Sequence, residues 1–245
     1  MKSPSYLKYT ALAAGLIGCA LRVAVYIAGT DGKGLPVAGH WSQSGLLALT
    51  AAVFVFFLLI TRSIQGSQDY RSAYPRSVVS GIGCLIAAFA FFMSNLPDAM
   101  LGSFHTPELV LRCGAVFSLC FVAFCRFAGR KPPFLFHGIS CLYLVLRMIC
   151  LYRLWSPDPQ LIDYGFYLGA YISLILTCYQ FAAFDADCGS HKKLWFWGLV
   201  SVYLCGVSLS GNQEPLFLLL CMVWVLTNLS NPEAEIPAAD AAEGV

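Results

Sequence analysis

Eight apolar runs, at residues 7–29, 43–61, 77–96, 107–126, 134–154, 160–184, 194–210 and 215–230, leave this chain few ways to fold. A helix needs about 20 residues to cross the hydrocarbon of a bilayer, and most of the runs approach that length. In lipid every backbone N–H and C=O must be bonded within the protein, so single runs of this kind cross as helices. The expected fold class is all-α, a polytopic transmembrane bundle of about eight helices.

Composition rules out the soluble alternative. Hydrophobic residues make up 58% of the 245 and charged residues only 11%, against roughly 25% charged in a soluble domain. No core of this size hides so much apolar surface from water. A net charge of +2 without a concentrated basic face argues against a nucleic-acid partner. The eleven cysteines are odd in number and mostly sit inside apolar runs, where they read as small buried hydrophobes. With no CxxC pair and four scattered histidines, neither a metal site nor a cofactor is expected.

Punctuation fits the runs. Thr106-Pro107-Glu108, Asp158-Pro159-Gln160 and Gln213-Glu214-Pro215 each place a proline and a polar or acidic residue where a helix starts. The bundle accordingly occupies residues 1–231, and an acidic tail, 232–245, is too polar to fold and is expected to be disordered on the cytoplasmic side.

Lysine and arginine positions set the expected orientation, because loops rich in them stay in the cytoplasm. With the N-terminus inside, Lys2, Lys8, Arg62, Arg71, Arg76, Arg126, Arg130, Lys131, Lys192 and Lys193 fall on the cytoplasmic side, and Lys33, Arg112 and Arg153 on the other. Both termini are then cytoplasmic in a plasma (inner) membrane. Trp195 and Trp197 suit an inner interfacial belt, Trp41 and Trp155 an outer one, and Asp185 and Asp187 a solvated loop.

Leu21-Arg22 and Tyr26 in the first run, with Asp31 just after it, are echoed by Leu146-Arg147 and Tyr152 in the fifth, with Asp158 just after that. Each pattern opens a set of four helices, so the chain admits a reading as two parallel repeats, 1–131 and 132–231.

Arg22 and Arg147 lie inside apolar runs, where an arginine costs about 2.5 to 3.5 kcal/mol on insertion scales. At 1.5 Å per residue both come about 20 Å up from the cytoplasmic end. A turn of 100° per residue aligns Arg22 with Ala11, Gly15, Gly18 and Tyr26, and a stripe of small residues is where another helix packs closely. Arg147 aligns with Phe136, Ser140 and Tyr143. Asp163 and Tyr167 share a face of the sixth run at the same end. Arg22, Tyr26, Tyr143, Arg147, Asp163 and Tyr167 are therefore the candidate binding residues of an outward-facing cationic pocket. The competing reading has the arginines pairing or snorkelling only to hold helices in register.

The segment Leu146 to Asp163, followed by Tyr164 and Ala182-Ala183-Phe184, resembles a run found in uncharacterised small membrane proteins of anaerobic Gram-positive bacteria. That resemblance implies a bacterial inner membrane and supplies no functional residues.

No HExxH, GxSxG or glycine-rich phosphate loop is present, so an enzyme is not expected. Two classes remain: a small permease or solute-binding membrane subunit, suggested by the paired arginines, and a non-catalytic partner or sensor subunit. The second is suggested by the lack of acidic residues deep in the runs. The expected partners are the lipid bilayer and other membrane subunits.

Overall fold

The computed structural model describes residues 5–29, 40–64, 70–74, 76–94, 105–155, 161–211 and 214–229. Among them are eight long helices: α1 (Ser5–Ala28), α2 (Trp41–Thr61), α3 (Val78–Met93), α4 (His105–Ala128), α5 (Phe134–Trp155), α6 (Leu161–Asp185), α7 (His191–Ser208) and α8 (Pro215–Asn228). A single helical turn, Tyr70–Ala73, lies between α2 and α3, and no strand occurs among the described residues. The all-α bundle expected from the apolar runs is the fold observed. The acidic tail falls outside the described residues.

Five helices (α1, α2, α4, α5 and α6) are long and apolar enough to cross a membrane, which makes this an integral membrane protein of several spans. The fourth run carries Arg112 near its start and still forms 24 residues of helix. The guanidinium pairs with Glu108 one turn earlier, at 3.8 Å. By contrast α3 has 16 residues and α8 only 14, giving lengths of about 24 and 21 Å against roughly 30 Å of hydrocarbon.

Successive long helices run in opposite directions, so the end that holds Ser5 also holds Thr61, Val78, Ala128, Phe134, Asp185, His191 and Asn228. We call this end proximal and the other distal. Side chains tie it together: Lys8 Nζ donates to Leu229 O at 2.7 Å, and Ser80 Oγ donates to Asn228 Oδ1 at 2.7 Å.

Helices α3, α4, α5, α6, α7 and α8 pack in chain order, and α8 returns to α3, closing a ring. Outside it, α1 and α2 dock on α7. The two halves of the chain thus pair differently: α5 to α8 pack in succession, whereas α2 packs on α1 and α7. Wrapped by α1, α2, α6 and α8, α7 is buried on every face from Gly198 to Ser208. Lipid contact falls instead to side chains such as Leu16, Val55, Phe92 and Phe117, which stay exposed on α1 to α4.

The small-residue stripe of α1 faces α7 as its spacing implies. A Cβ added at Gly15 would lie 3.3 Å from Tyr203 O and 3.4 Å from Gly206 Cα, so the two backbones approach closely. Trp195 corrects the expectation of an interfacial tryptophan: it is fully buried, with the Lys8 ammonium 5.7 Å above its ring. Trp41 remains exposed at the distal end.

The middle of the ring is filled by aromatic rings. Phe91 (α3) stacks on Phe217 (α8) at 5.9 Å and meets Trp224 edge-on at 6.3 Å, and Trp224 reaches Phe181 (α6) at 5.5 Å. This layer separates polar clusters at the two ends.

Candidate functional site

The distal cluster is built around Arg147, which has no exposed surface. Its Nε donates to the Tyr171 hydroxyl at 3.1 Å. One terminal nitrogen donates to Ser94 O at 3.0 Å and to the Tyr143 hydroxyl at 3.2 Å, and the other to Glu214 Oε1 at 2.5 Å. Tyr171 closes the circuit by donating to Glu214 Oε2 at 3.1 Å, and the guanidinium stands 4.7 Å over the Phe217 ring.

Helix ends explain why this works in lipid. Ser94 caps the C-terminus of α3, where unpaired carbonyls carry partial negative charge, so its C=O is a natural acceptor for a cation. Arg112 donates to the same oxygen at 3.4 Å. Glu214 is the N-cap of α8, yet its side chain makes no capping bond, since both oxygens are taken by Arg147 and Tyr171. Its backbone is left-handed, φ 48° and ψ 47°, an unusual and strained setting for a residue with a side chain. The carboxylate is 29% exposed. It forms part of the wall of a cleft of about 210 Å³ between α3 and α8, with Ser94, Ala90 and Phe217.

Arg22 is likewise buried, at 2% exposure, and takes other neighbours. It donates to the Tyr26 hydroxyl at 3.1 Å and lies 4.7 Å over the ring of Tyr167. Tyr167 and Tyr171 are one turn apart on α6, so each arginine addresses its own tyrosine there. Tyr26, Tyr143 and Tyr167 all touch an arginine, as their spacing suggested. Asp163 lies in α6 at the distal end, and its side chain is outside the described residues. The carboxylate found on Arg147 is that of Glu214.

A second buried cluster occupies the proximal end and includes Arg126, expected on the cytoplasmic side, and Asp185, expected in a solvated loop. Arg126 (α4) is 2% exposed and lies 3.6 Å over the ring of Tyr74 and 5.0 Å from that of Tyr70. Among the described residues none of its three guanidinium nitrogens has a hydrogen-bond partner. Asp185, expected in a solvated loop, is buried at the end of α6 and meets His137 Nδ1 at 2.5 Å. The outer atoms of that pair, Asp185 Oδ1 and His137 Nε2, and the Tyr74 hydroxyl are also without partners among the described residues.

Both tyrosines register the two opposite charges. Burial pushes the Tyr70 phenol up to about 12; Arg126 opposes the rise and Asp185 adds to it. Burial pushes the Tyr74 phenol still further, with the same two influences. At the surface beside them, Lys131 and the Tyr70 backbone N–H hold the Asp187 carboxyl below its ordinary range.

Arg126 and Asp185 carry a sequence signal that a loop assignment hides. Arg126 continues the buried spacing Ala115, Leu119, Val122, and Asp185 continues Leu174, Thr177, Phe181. Glu214 had no such signal, because a partner 67 residues from Arg147 is set by tertiary packing alone.

Among the described residues no group of histidines, cysteines and carboxylates is arranged to hold a metal ion. Comparison with protein-family models, with curated proteins and with solved structures gave no match.

Proposed function

We propose that this chain is a small permease or solute-binding membrane subunit that takes a small carboxylate at Arg147 from the distal, outward side. In this reading it is not an enzyme, and it sits in a bacterial plasma membrane with both termini cytoplasmic. One observation carries the reading: the fork of a buried arginine is held by a single internal carboxylate that is partly exposed, backbone-strained and set in the wall of a cleft. Glu214 then occupies the position of the solute's own carboxylate, and exchange between the two leaves the buried charge neutralised throughout.

Glu214→Ala tests this with acetate as the probe. In purified full-length protein the variant loses thermal stability, and acetate, filling the vacated fork, restores it with a saturable dose dependence. Chloride at equal ionic strength restores much less, because it cannot match the planar fork. If acetate and chloride act alike, the exchange reading fails, and the non-catalytic partner or sensor subunit is the better one. That second reading draws support from the complete internal pairing of Arg147. Alkaline phosphatase fused after Leu35 should be active and after Lys193 inactive; the reverse would invert the orientation.

A further inference from the structure

Among the described residues, four side chains of the proximal cluster carry buried polar atoms without hydrogen-bond partners. Arg126 offers donors on all three nitrogens, Asp185 Oδ1 can only accept, and Tyr74 and His137 Nε2 can do either according to proton placement. An unpaired guanidinium inside a protein is costly, and buried polar groups in folded proteins nearly always have partners. Direct pairing of the cation with the nearby carboxylate is not what is observed, since His137 holds Asp185.

The mixture of donors and acceptors narrows what could complete it. A simple anion would satisfy Arg126 and be repelled by Asp185 Oδ1. A species with acceptor oxygens for the guanidinium and an O–H for the carboxylate would satisfy both. We propose that Arg126, Tyr74, His137 and Asp185 form a binding site for a small oxyanion that carries a protonated oxygen, of the hydrogen phosphate class.

Access is from the proximal end. Tyr70 and Tyr74 roof the cluster from the short connection before α3. The roof is held by Tyr70 N–H donating to Asp187 Oδ1 at 3.1 Å and the Tyr70 hydroxyl donating to Arg130 O at 3.3 Å. Both ties are part-buried and reach exposed residues, Asp187 and Arg130, where water can compete for them. The cluster is closed in this structure, so binding requires the roof to lift.

Full-length protein in lipid nanodiscs is titrated calorimetrically with inorganic phosphate and, separately, with sulfate, which matches phosphate in shape and carries no proton at neutral pH. Phosphate should bind saturably and about tenfold more tightly than sulfate, the difference being one charge-assisted hydrogen bond to Asp185. Arg126→Gln should weaken both by about tenfold or more. Asp185→Asn should close the gap between them, and Arg153→Gln, an exposed distal change, should leave both as in the parent. Should Arg126→Gln not fold, Arg126→Lys, which keeps the charge and loses the fork, and Tyr74→Phe, which keeps the ring and loses the hydroxyl, are each expected to weaken phosphate. The proposal is overturned if the folded parent shows no saturable phosphate binding, or if folded position-126 variants bind phosphate as the parent does. Water alone then fills the cluster. None of these results depends on the acetate response of Glu214→Ala at the opposite end.

Discussion

The two ends of the ring solve the same problem in opposite ways. Each buries an arginine beside aromatic rings, but Arg147 has a carboxylate, two hydroxyls and a helix-end carbonyl as partners, while Arg126 has, among the described residues, the ring faces of Tyr74 and Tyr70 and no hydrogen-bond partner. A cation–π contact is worth about 2 kcal/mol or more when desolvated, well below the cost of burying a charge. The distal arginine is therefore a structural fixture whose partner could be exchanged, and the proximal one is incomplete. Burial does not distinguish them; the state of their hydrogen bonds does.

The largest expected effect tests the distal side of that contrast. Arg147→Gln strips Glu214 of its counter-charge and disrupts four hydrogen bonds made by the guanidinium, and should cost about 3 kcal/mol or more. Chemical denaturation in detergent would show it, and the double variant with Glu214→Gln should recover part of the loss, as coupled neighbours do. If Arg147→Gln is as stable as the parent, Arg147 is no fixture.

Arg126→Met is the matching change at the proximal end, and its expected sign differs. Among the described residues no hydrogen bond is lost and an unpaired buried charge is removed, so stability should stay within about 1 kcal/mol of the parent or rise. A loss as large as that of Arg147→Gln would make the two arginines equivalent and erase the distinction. Gly15→Leu provides a reference remote from both clusters. It forces a bulky side chain between α1 and α7, for an expected loss of about 1 to 3 kcal/mol, and the same change at half-buried Ala14 should be milder.

The smallest effect belongs to the roof. The Asp187 carboxyl is held below its ordinary value, so its contribution is fully present above about pH 4 and fades as pH falls through the lower folded value. Hydrogen exchange at the Tyr70 amide, which Asp187 accepts, should lose protection on acidification. Lys131→Gln, removing the other partner of Asp187, should move that loss to higher pH.

How far the sequence led differs between fold and site. Helix positions were legible because lipid allows so few backbone solutions, and the stripe through Gly15 pointed correctly to a close neighbour, which proved to be α7. The ends of α3 and α8 were less so: the runs were drawn to Leu96 and Ser230, whereas the helices stop at Met93 and Asn228. Arg22 and Arg147 stood out because charge inside an apolar run is conspicuous. Arg126 and Asp185 were missed for the converse reason: at the end of a run a charge resembles a loop residue, although the same 3.6-residue spacing carries it into the core.

The aromatic layer of Phe91, Phe217, Trp224 and Phe181 also has an electrical consequence. With low-polarity rings packed between the two ends, a bare ion is costlier to place in that layer than beside either cluster. An anion crossing the membrane alone would work against or with the transmembrane potential, about 2.3 kcal/mol per charge at 100 mV. One that crossed together with a proton would move no net charge, and its passage would be indifferent to the state of polarisation of the membrane.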